Sequence, residues 1–370
     1  MKKVGIDARL YSQTGVGTYL RNLIHELLQQ DTPNIIFYLY ILPSDEKKLP
    51  KLSANFIIRK APFLSHSIAE QCAFLYFLLR DRLDLMHFTY FGYPVFYKKK
   101  FIATVHDLTP LLFKTGKAST KNPLIYFIKH FLFRRILFSQ IIDAISIITP
   151  TYTVKEQIVR EYGSHLREKI VTAYEGVGYE LAHIKENRDL KSLYQKPFFI
   201  YVGNFYPHKN IKRLVEAFAR IHSDYQLILI CPKDYFAASI LQHIKQLGRE
   251  NNIKIVDNAT TADLAFFYRH ALALIHPSLS EGFGFPIIEA AYFKLPVIAS
   301  NIPVFQELLK GKYSSFDPYN TADLHKKIAN FIFHPFQVDY GSIVSQYSLK
   351  TMTKQTLTLY QKALTSKEKT

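Results

Sequence analysis

Short, unbroken apolar runs alternate with longer stretches of helical periodicity along almost the whole chain. A run too short for a buried helix and bounded by turn residues reads as a strand covered on both faces. Strands alternating with amphipathic helices build parallel sheets. The first series opens with "KKVGID" (2–7), a strand ending at a polar loop. "GVGTYLRNLIHELLQQ" follows, with Leu20, Leu23, Ile24, Leu27 and Leu28 at helical spacing. "NIIFYLYIL", "LDLMHF", "FIATVHDL", "AISIITPT" and "KIVTAY" are the further strands of this series. The helix "TVKEQIVREYG" is expected to open on a capping box, Thr153 with Glu156, and to close on Gly163. A second series begins at "FFIYVGN" (198–204) and runs through "QLILICP", "NIKIVD", "LALIHPS" and "LPVIAS", with helices between. "TADL" occurs at 261–264 and 321–324, each time starting a helical pattern, which is local capping chemistry rather than a repeat. Residues 175–196 are polar and weakly periodic and read as a link between domains. The pattern predicts an α/β protein with two doubly wound domains, 1–180 and 181–350, facing each other across a cleft at their strand ends. Residues 351–370 read as a final helix.

A length of 370 residues fits two or three domains of ordinary size. The two cysteines, Cys72 and Cys231, lie far apart. That spacing excludes a disulfide framework and fits a reducing, cytoplasmic compartment. Asp7 and Arg9 interrupt the N-terminal apolar run, so it has no signal-peptide core. No uncharged apolar run reaches the roughly 18 residues of a membrane span. The nearest, "ILFSQIIDAISII", carries Asp143. The net charge is +17 and unevenly placed. From Leu108 to Ile142 there is no Asp or Glu, while Lys114, Lys117, Lys121, Lys129, Arg134 and Arg135 all fall there, interleaved with aromatics in "LIYFIKHFLFRRILF". Such a segment suits a helix lying on an anionic membrane surface; the alternative is a core helix whose basic residues face water. Nucleic acid is not expected as a partner: there is no zinc-finger spacing, aromatic RNA-recognition signature or heptad-bearing basic region.

The stretch "HPSLSEGFGFPIIEAAYFKLPVIAS" (276–300) carries the chemistry. Strand, glycine turn, helix and strand follow one another, with Pro286 as the expected first helical residue. The turn "EGFGF" therefore stands where backbone N–H groups and the helix dipole favour an anion, and Gly282 and Gly284 let a phosphate approach closely. Glu281 and Glu289 bracket the turn, with seven residues between them and Glu289 expected in the first helical turn. A carboxylate accepts hydrogen bonds only, so the pair suits hydroxyls at the two ends of a sugar nucleotide whose diphosphate the turn holds. The plainer alternative is that Glu289 complements the dipole and Glu281 is a surface residue. "YVGNFYPHKN" is a second strand–loop–helix junction, and Lys209 there would meet a phosphate as a point charge.

These residues resemble a known family. "YVGNFYPHKNIKRLVEAF" and "HPSLSEGFGFPIIEAAYFKLPVIASNIPVFQEL", with the E-x7-E pair, are similar to the C-terminal domain of the family 4 retaining nucleotide-sugar glycosyltransferases. "GIDARLYSQTGVGTYLRNLIHELL" and "ATVHDLTPLLF" resemble its N-terminal domain more loosely. The resemblance implies the GT-B fold: two Rossmann-like domains, 1–180 binding acceptor and 181–350 binding nucleotide sugar, with 351–370 packing back on the first. It implies catalytic roles for His106, Glu281 and Lys209. Glu289 would bind the donor ribose, Glu281 the donor sugar, and Lys209 the leaving diphosphate, assisted by the backbone of Gly282, Phe283, Gly284 and Phe285. Gly15 and Gly17 would form an N-domain loop facing donor or acceptor. His106 would sit near the transferred sugar, as a contact or a general base. Asn204 stands where relatives often carry Arg, which puts more of the phosphate charge on Lys209. "AAYFKLP" replaces a commoner glycine-bearing form.

No Asp-x-Asp occurs in the chain, so no metal or other cofactor is expected. The implied partners are a nucleotide-diphosphate sugar, GDP-mannose first and UDP-sugars next, and a glycan or lipid-linked acceptor. The enzyme would then work at the inner face of a membrane. Alternatives are a GT-B nucleotide-sugar epimerase and a non-catalytic binding protein of this fold. A dinucleotide oxidoreductase is disfavoured, because "GVG" at 15–17 is too short a match to G-x-G-x-x-G.

Overall fold

The computed structural model describes residues 1–63, 67, 69–113, 123–232 and 235–366. They form two units. One takes the described residues of 1–111, 119–175 and 348–370; the other takes Gly176–Tyr347 with Leu112 and Phe113.

The first unit holds a parallel sheet of seven strands: β1 (Lys2–Asp7), β2 (Ile35–Ile41), β3 (Phe56–Lys60), β4 (Leu85–Phe88), β5 (Phe101–Thr104), β6 (Ser146–Thr149) and β7 (Ile170–Thr172). Their order is β3-β2-β1-β4-β5-β6-β7. Val4 pairs with Phe37 on one side and Leu85 on the other, so the chain reverses its direction of winding between β1 and β4. Successive strand residues feed opposite faces: Leu85, Ile102 and Ile148 join one core, Met86, Ala103 and Ile147 the other. That alternation is why each run is apolar throughout. β3 is not singled out by the sequence pattern, because "FIIRK" is a short edge strand ending in charges.

The helix Leu349–Thr365 belongs to this unit. Met352, Leu359, Tyr360 and Ala363 share a core with Tyr19, Leu20 and Leu23 of the helix Val16–Leu28. Tyr360 Oη lies 2.6 Å from His87 Nδ1, and His87 Nε2 lies 2.7 Å from Thr104 Oγ1. Burial pulls His87 down to about 3, so the ring is neutral in this chain of hydrogen bonds. The charges that interrupt the N-terminal run are also buried. Arg9 Nη2 donates to Asp7 at 2.6 Å and to Glu70 at 2.7 Å, and its guanidinium sits 4.0 Å from the Phe74 ring.

The second unit has a six-stranded parallel sheet: β8 (Phe198–Val202), β9 (Gln226–Cys231), β10 (Ile253–Asp257), β11 (Leu274–His276), β12 (Val297–Ser300) and β13 (Ser314–Phe316). The order β10-β9-β8-β11-β12-β13 puts its winding reversal between β8 and β11. Ligands of open parallel sheets bind outside the carboxyl ends of the strands at such a reversal.

Three local expectations are corrected. The helix Tyr152–Tyr162 is capped by Thr151, whose hydroxyl accepts from Val154 N, and not by Thr153; Glu156 pairs with Arg167 instead. Gly17 lies inside the first turn of Val16–Leu28 and not in a loop. A Cβ there would stand 2.7 Å from the Tyr11 carbonyl, so glycine is required for the preceding segment to pack on the helix. The 175–196 link contains two short helices, Tyr179–His183 and Leu190–Leu193. Both "TADL" copies do begin helices, capped by the residue before each, Thr260 and Asn320. Lys294, in the segment where glycine is commoner, takes φ 58, a backbone glycine adopts at less cost.

The basic segment forms the helix Pro123–Asp143. Leu137 and Ile141 enter the core, with Phe133 and Ile136 packed against it. Phe127, Phe131, Phe138 and Ile142 are exposed, as are Lys129, Arg134 and Arg135. Lys114, Lys117 and Lys121 lie outside the described residues. Among the described residues no helix is long and apolar enough to cross a membrane.

Candidate active site

Two loops meet at the β8/β11 reversal. The first leaves β8 at Gly203, which takes φ 143. It passes Asn204, whose side-chain oxygen is buried with no hydrogen-bond partner among the described residues, and ends in the 3-10 turn Pro207–Lys209. Asn210 then adopts the left-handed conformation and starts the helix Ile211–Phe218. The second leaves β11 after His276 and ends at Gly284, φ 81, which caps the helix Phe285–Tyr292. A Cβ on Gly284 would lie 3.0 Å from Phe305.

The loops are tied together. Leu279 N donates to the His208 carbonyl at 2.7 Å, and Asn210 Nδ2 donates to the carbonyls of Pro277 and Pro318 at 3.1 and 2.9 Å. At their centre, Lys209 Nζ donates to Glu281 Oε1 at 2.6 Å, and His276 Nε2 donates to the same oxygen at 3.0 Å. Glu281 is 8% exposed, so it is no surface residue. Burial works to raise its carboxyl. The Lys209 charge and the His276 hydrogen bond outweigh that and hold it well below the usual carboxylate range. Since a carboxylate only accepts, His276 carries its proton on Nε2; burial keeps the ring neutral against the pull of Glu281. His208 is pulled down to about 4 by burial and then by Lys209, so near neutral pH Lys209 is the loop's cation. An ammonium has three donors. Glu281 takes one, and the Lys209 side chain is still 15% exposed.

Glu289 is the fifth residue of its helix, in the second turn and not the first as the spacing suggested. Its Oε2 accepts from Tyr268 Oη at 2.6 Å, an attachment that dipole complementarity does not need. Burial pushes Glu289 up to about 7, with the Tyr268 hydrogen bond opposing. Pro286 is the second helical residue, after Phe285. The Phe283 side chain is buried and contacts Phe285 and Tyr347 at 5.4 and 6.2 Å, so this part of the turn offers backbone rather than a ring.

In the first unit, Gly15 takes φ 68 and caps Val16–Leu28, with open space where a Cβ would stand. His106 follows β5 and is 9% exposed. Its Nε2 lies 2.9 Å from the Thr89 carbonyl, and its Nδ1 lies 3.4 Å from Glu175. Sequence reasoning missed His276, Asn210, Tyr268 and Glu175. A histidine five residues before a glutamate gave no spacing signal, and Glu175 fell in the apparent link.

With this geometry in view, the comparisons with known proteins define the class. A family model described as "Glycosyl transferases group 1" matches residues 184–337, inside the second unit. The chain belongs to this family of glycosyltransferases, and the fold is GT-B. Among particular relatives, the O-antigen chain mannosyltransferase RfbU of Salmonella typhimurium strain LT2 is 30% identical over 263 residues, 70% of this chain and 72% of that protein. Among solved structures, sucrose-phosphate synthase from Thermosynechococcus elongatus has a TM-score of 0.76 at 16% identity, over 98% of this chain and 99% of that one. HepE from Anabaena, solved with UDP and glucose, has a TM-score of 0.73 at 15% identity, over 98% of this chain and all of that one. The two structures speak for the fold alone.

Proposed function

We propose that this enzyme transfers mannose from GDP-mannose to a glycan or lipid-linked acceptor in polysaccharide assembly, with retention at the anomeric carbon and without a metal ion. The observation that carries the reading is the Lys209–Glu281–His276 cluster between two strand–loop–helix junctions. The similarity to an O-antigen chain mannosyltransferase supports the sugar and the setting. The donor diphosphate lies against the N-terminus of Phe285–Tyr292 and takes the free donors of Lys209, which neutralises the leaving group. That cation, together with the lack of Asp-x-Asp, favours charge stabilisation without a metal. Glu289 accepts from the ribose hydroxyls, and Glu281 accepts from the transferred sugar. The sugar passes through a cation-like state, and the departing diphosphate takes the acceptor's proton on the same face. His106 contacts the transferred sugar and is not the base. Its Nε2 faces the Thr89 carbonyl and its Nδ1 faces Glu175, an arrangement that favours a contact role over proton transfer.

A UDP-sugar is the second reading, because HepE of the same fold was solved with UDP and glucose. A thermal-shift series with GDP, UDP, ADP and TDP, with and without EDTA, separates the two. A diphosphate at about 100 times its Kd adds about 2.7 kcal/mol to folding stability. GDP is expected to give the largest rise, unchanged by EDTA. A larger rise with UDP selects the second reading, and a rise lost in EDTA overturns metal independence.

The cationic, aromatic face of Pro123–Asp143 supports work at the inner, cytoplasmic membrane face. Each basic residue near an anionic leaflet contributes about 1 kcal/mol. The protein is expected to float with anionic vesicles at low salt, and Phe131→Ser with Arg135→Ser is expected to leave it in the soluble fraction. Failure of the unaltered protein to float sinks this reading.

A further inference from the structure

His276 ends β11 and is 1% exposed. Its ring is clamped between two aromatic side chains. Tyr201 of β8 stacks on it at 5.5 Å with 17° between the planes, and Phe305 of the helix Pro303–Leu309 meets it edge-on at 5.3 Å. A ring packed in this way has little freedom to turn. Its one engaged edge is Nε2–H, which donates to Glu281 Oε1 at 3.0 Å. The other nitrogen, Nδ1, is buried with no hydrogen-bond partner among the described residues. A buried polar atom left unpaired costs stability, and phenylalanine would fill an aromatic slot without one. Packing alone therefore does not account for a histidine here; the bond to Glu281 does. Glu281 receives two donors on the same oxygen. Lys209 Nζ is the other, at 2.6 Å, on a side chain still 15% exposed whose charge the diphosphate also draws on. His276 has a single N–H, and Glu281 takes it. With both donors on Oε1, Oε2 is the oxygen left for a sugar hydroxyl.

We infer that His276 is a positioning residue for the transfer reaction: it holds Glu281 by Oε1, independently of Lys209, so that Oε2 is the oxygen that accepts from the transferred sugar. This rests on the proposed reading of Glu281 as a sugar contact. Two tasks that meet at Glu281 are thereby separated. Lys209 answers the charge of the diphosphate, and His276 fixes the carboxylate that faces the sugar.

The test measures, on the full chain, dissociation constants for GDP-mannose and for GDP, and release of GDP from GDP-mannose; UDP-glucose and UDP are the probes if the thermal-shift series selects them. His276→Phe keeps the aromatic stack and removes the donor. It is expected to weaken GDP-mannose about 10-fold and to slow GDP release about 10- to 100-fold, the range for one hydrogen bond to a charged group. GDP binding and the melting temperature are expected to change little. His276→Gln, whose amide nitrogen reaches the Nε2 position, is expected to recover most of the rate. His276→Asn, whose amide reaches only the Nδ1 position, is not, and it takes the place of His276→Phe should that variant fail to fold. A double-mutant cycle gives the readout that a role in folding alone does not move. In Glu281→Ala, adding His276→Phe is expected to weaken GDP-mannose by no more than about twofold, because the histidine acts through the carboxylate. Full additivity in that cycle overturns the inference. So does a glutamine variant no faster than the asparagine one, or GDP binding lost in step with GDP-mannose binding. If Glu281→Ala keeps full turnover, the reading of Glu281 as a sugar contact fails and the inference goes with it. If Glu281→Ala loses turnover and His276→Phe does not, the inference alone falls.

Discussion

Lys209→Ala is expected to lower kcat by about 100- to 1000-fold, the range for removing one preorganised group that meets developing charge. The donor KM should rise much less, because the Phe285–Tyr292 helix terminus and Glu289 still bind. The physical case is that Lys209 is the cation of its loop, with His208 pulled down to about 4. Lys209→Arg restores charge but not the compact geometry at 2.6 Å from Glu281, and should recover only part of the rate. The same substitution carries a stability signature. Removing one partner of a buried pair costs about 3–5 kcal/mol. Glu281 is held below its ordinary value of 4.5, so its favourable contribution is fully present above that pH and fades as pH falls toward the lower folded value. The gap in melting temperature between the unaltered protein and Lys209→Ala should therefore narrow as pH drops below about 4.5. Turnover within tenfold of the unaltered enzyme would remove Lys209 from the charge-stabilising role.

Glu289→Gln should make the unliganded protein more stable and the enzyme worse. Burial lifts the Glu289 carboxyl from 4.5 to about 7. A group whose folded value is raised stabilises fully below its unfolded value, and that contribution is lost as pH rises through the folded one. Stability should thus decline between about pH 4.5 and 7. Glutamine carries no charge to bury and can still accept from Tyr268, so above that window the variant should be more stable by about 1–2 kcal/mol. The ribose diol, in turn, donates to a carboxylate. Losing the ionic acceptor should raise the donor KM by about 10- to 100-fold, the worth of one hydrogen bond to a charged group. In the unaltered enzyme the donor KM should fall as pH rises through about 7. A pH-independent donor KM, or a variant no more stable at high pH, would detach Glu289 from both assignments.

Most of the strand series was legible because the central strands are buried on both faces and read as apolar runs; the half-exposed edge strand β10, "IKIVD", was legible from its Ile and Val alone. β3 and β13 escaped because both are edge strands: "FIIRK" ends in charges and "SSF" is short and polar. The glycine turn with its two glutamates was legible because glycine at 284, proline at 286 and the apolar helix after them are local signals. The capping threonine was misplaced by two residues, since both Thr151 and Thr153 suit the chemistry and only the backbone chooses. Glu289 was misplaced by one residue along the helix, from its first turn to its second, for a similar reason: the helix begins at Phe285, after the left-handed Gly284, and no residue type marks that boundary uniquely.

By itself the sequence determined most of the strands and helices, where the phosphate-suited turns stand, and which family the chain resembles. Those properties follow from periodicity and residue type within a few positions. Only the tertiary structure decided which groups meet: Lys209 with Glu281, Tyr268 with Glu289, and His106 with Glu175. These pairs are 72, 21 and 69 positions apart. Their contact depends on strand order and on loops crossing at the sheet reversals, and their charge states depend on burial. Both are properties of the packed chain, and no short stretch of sequence contains them.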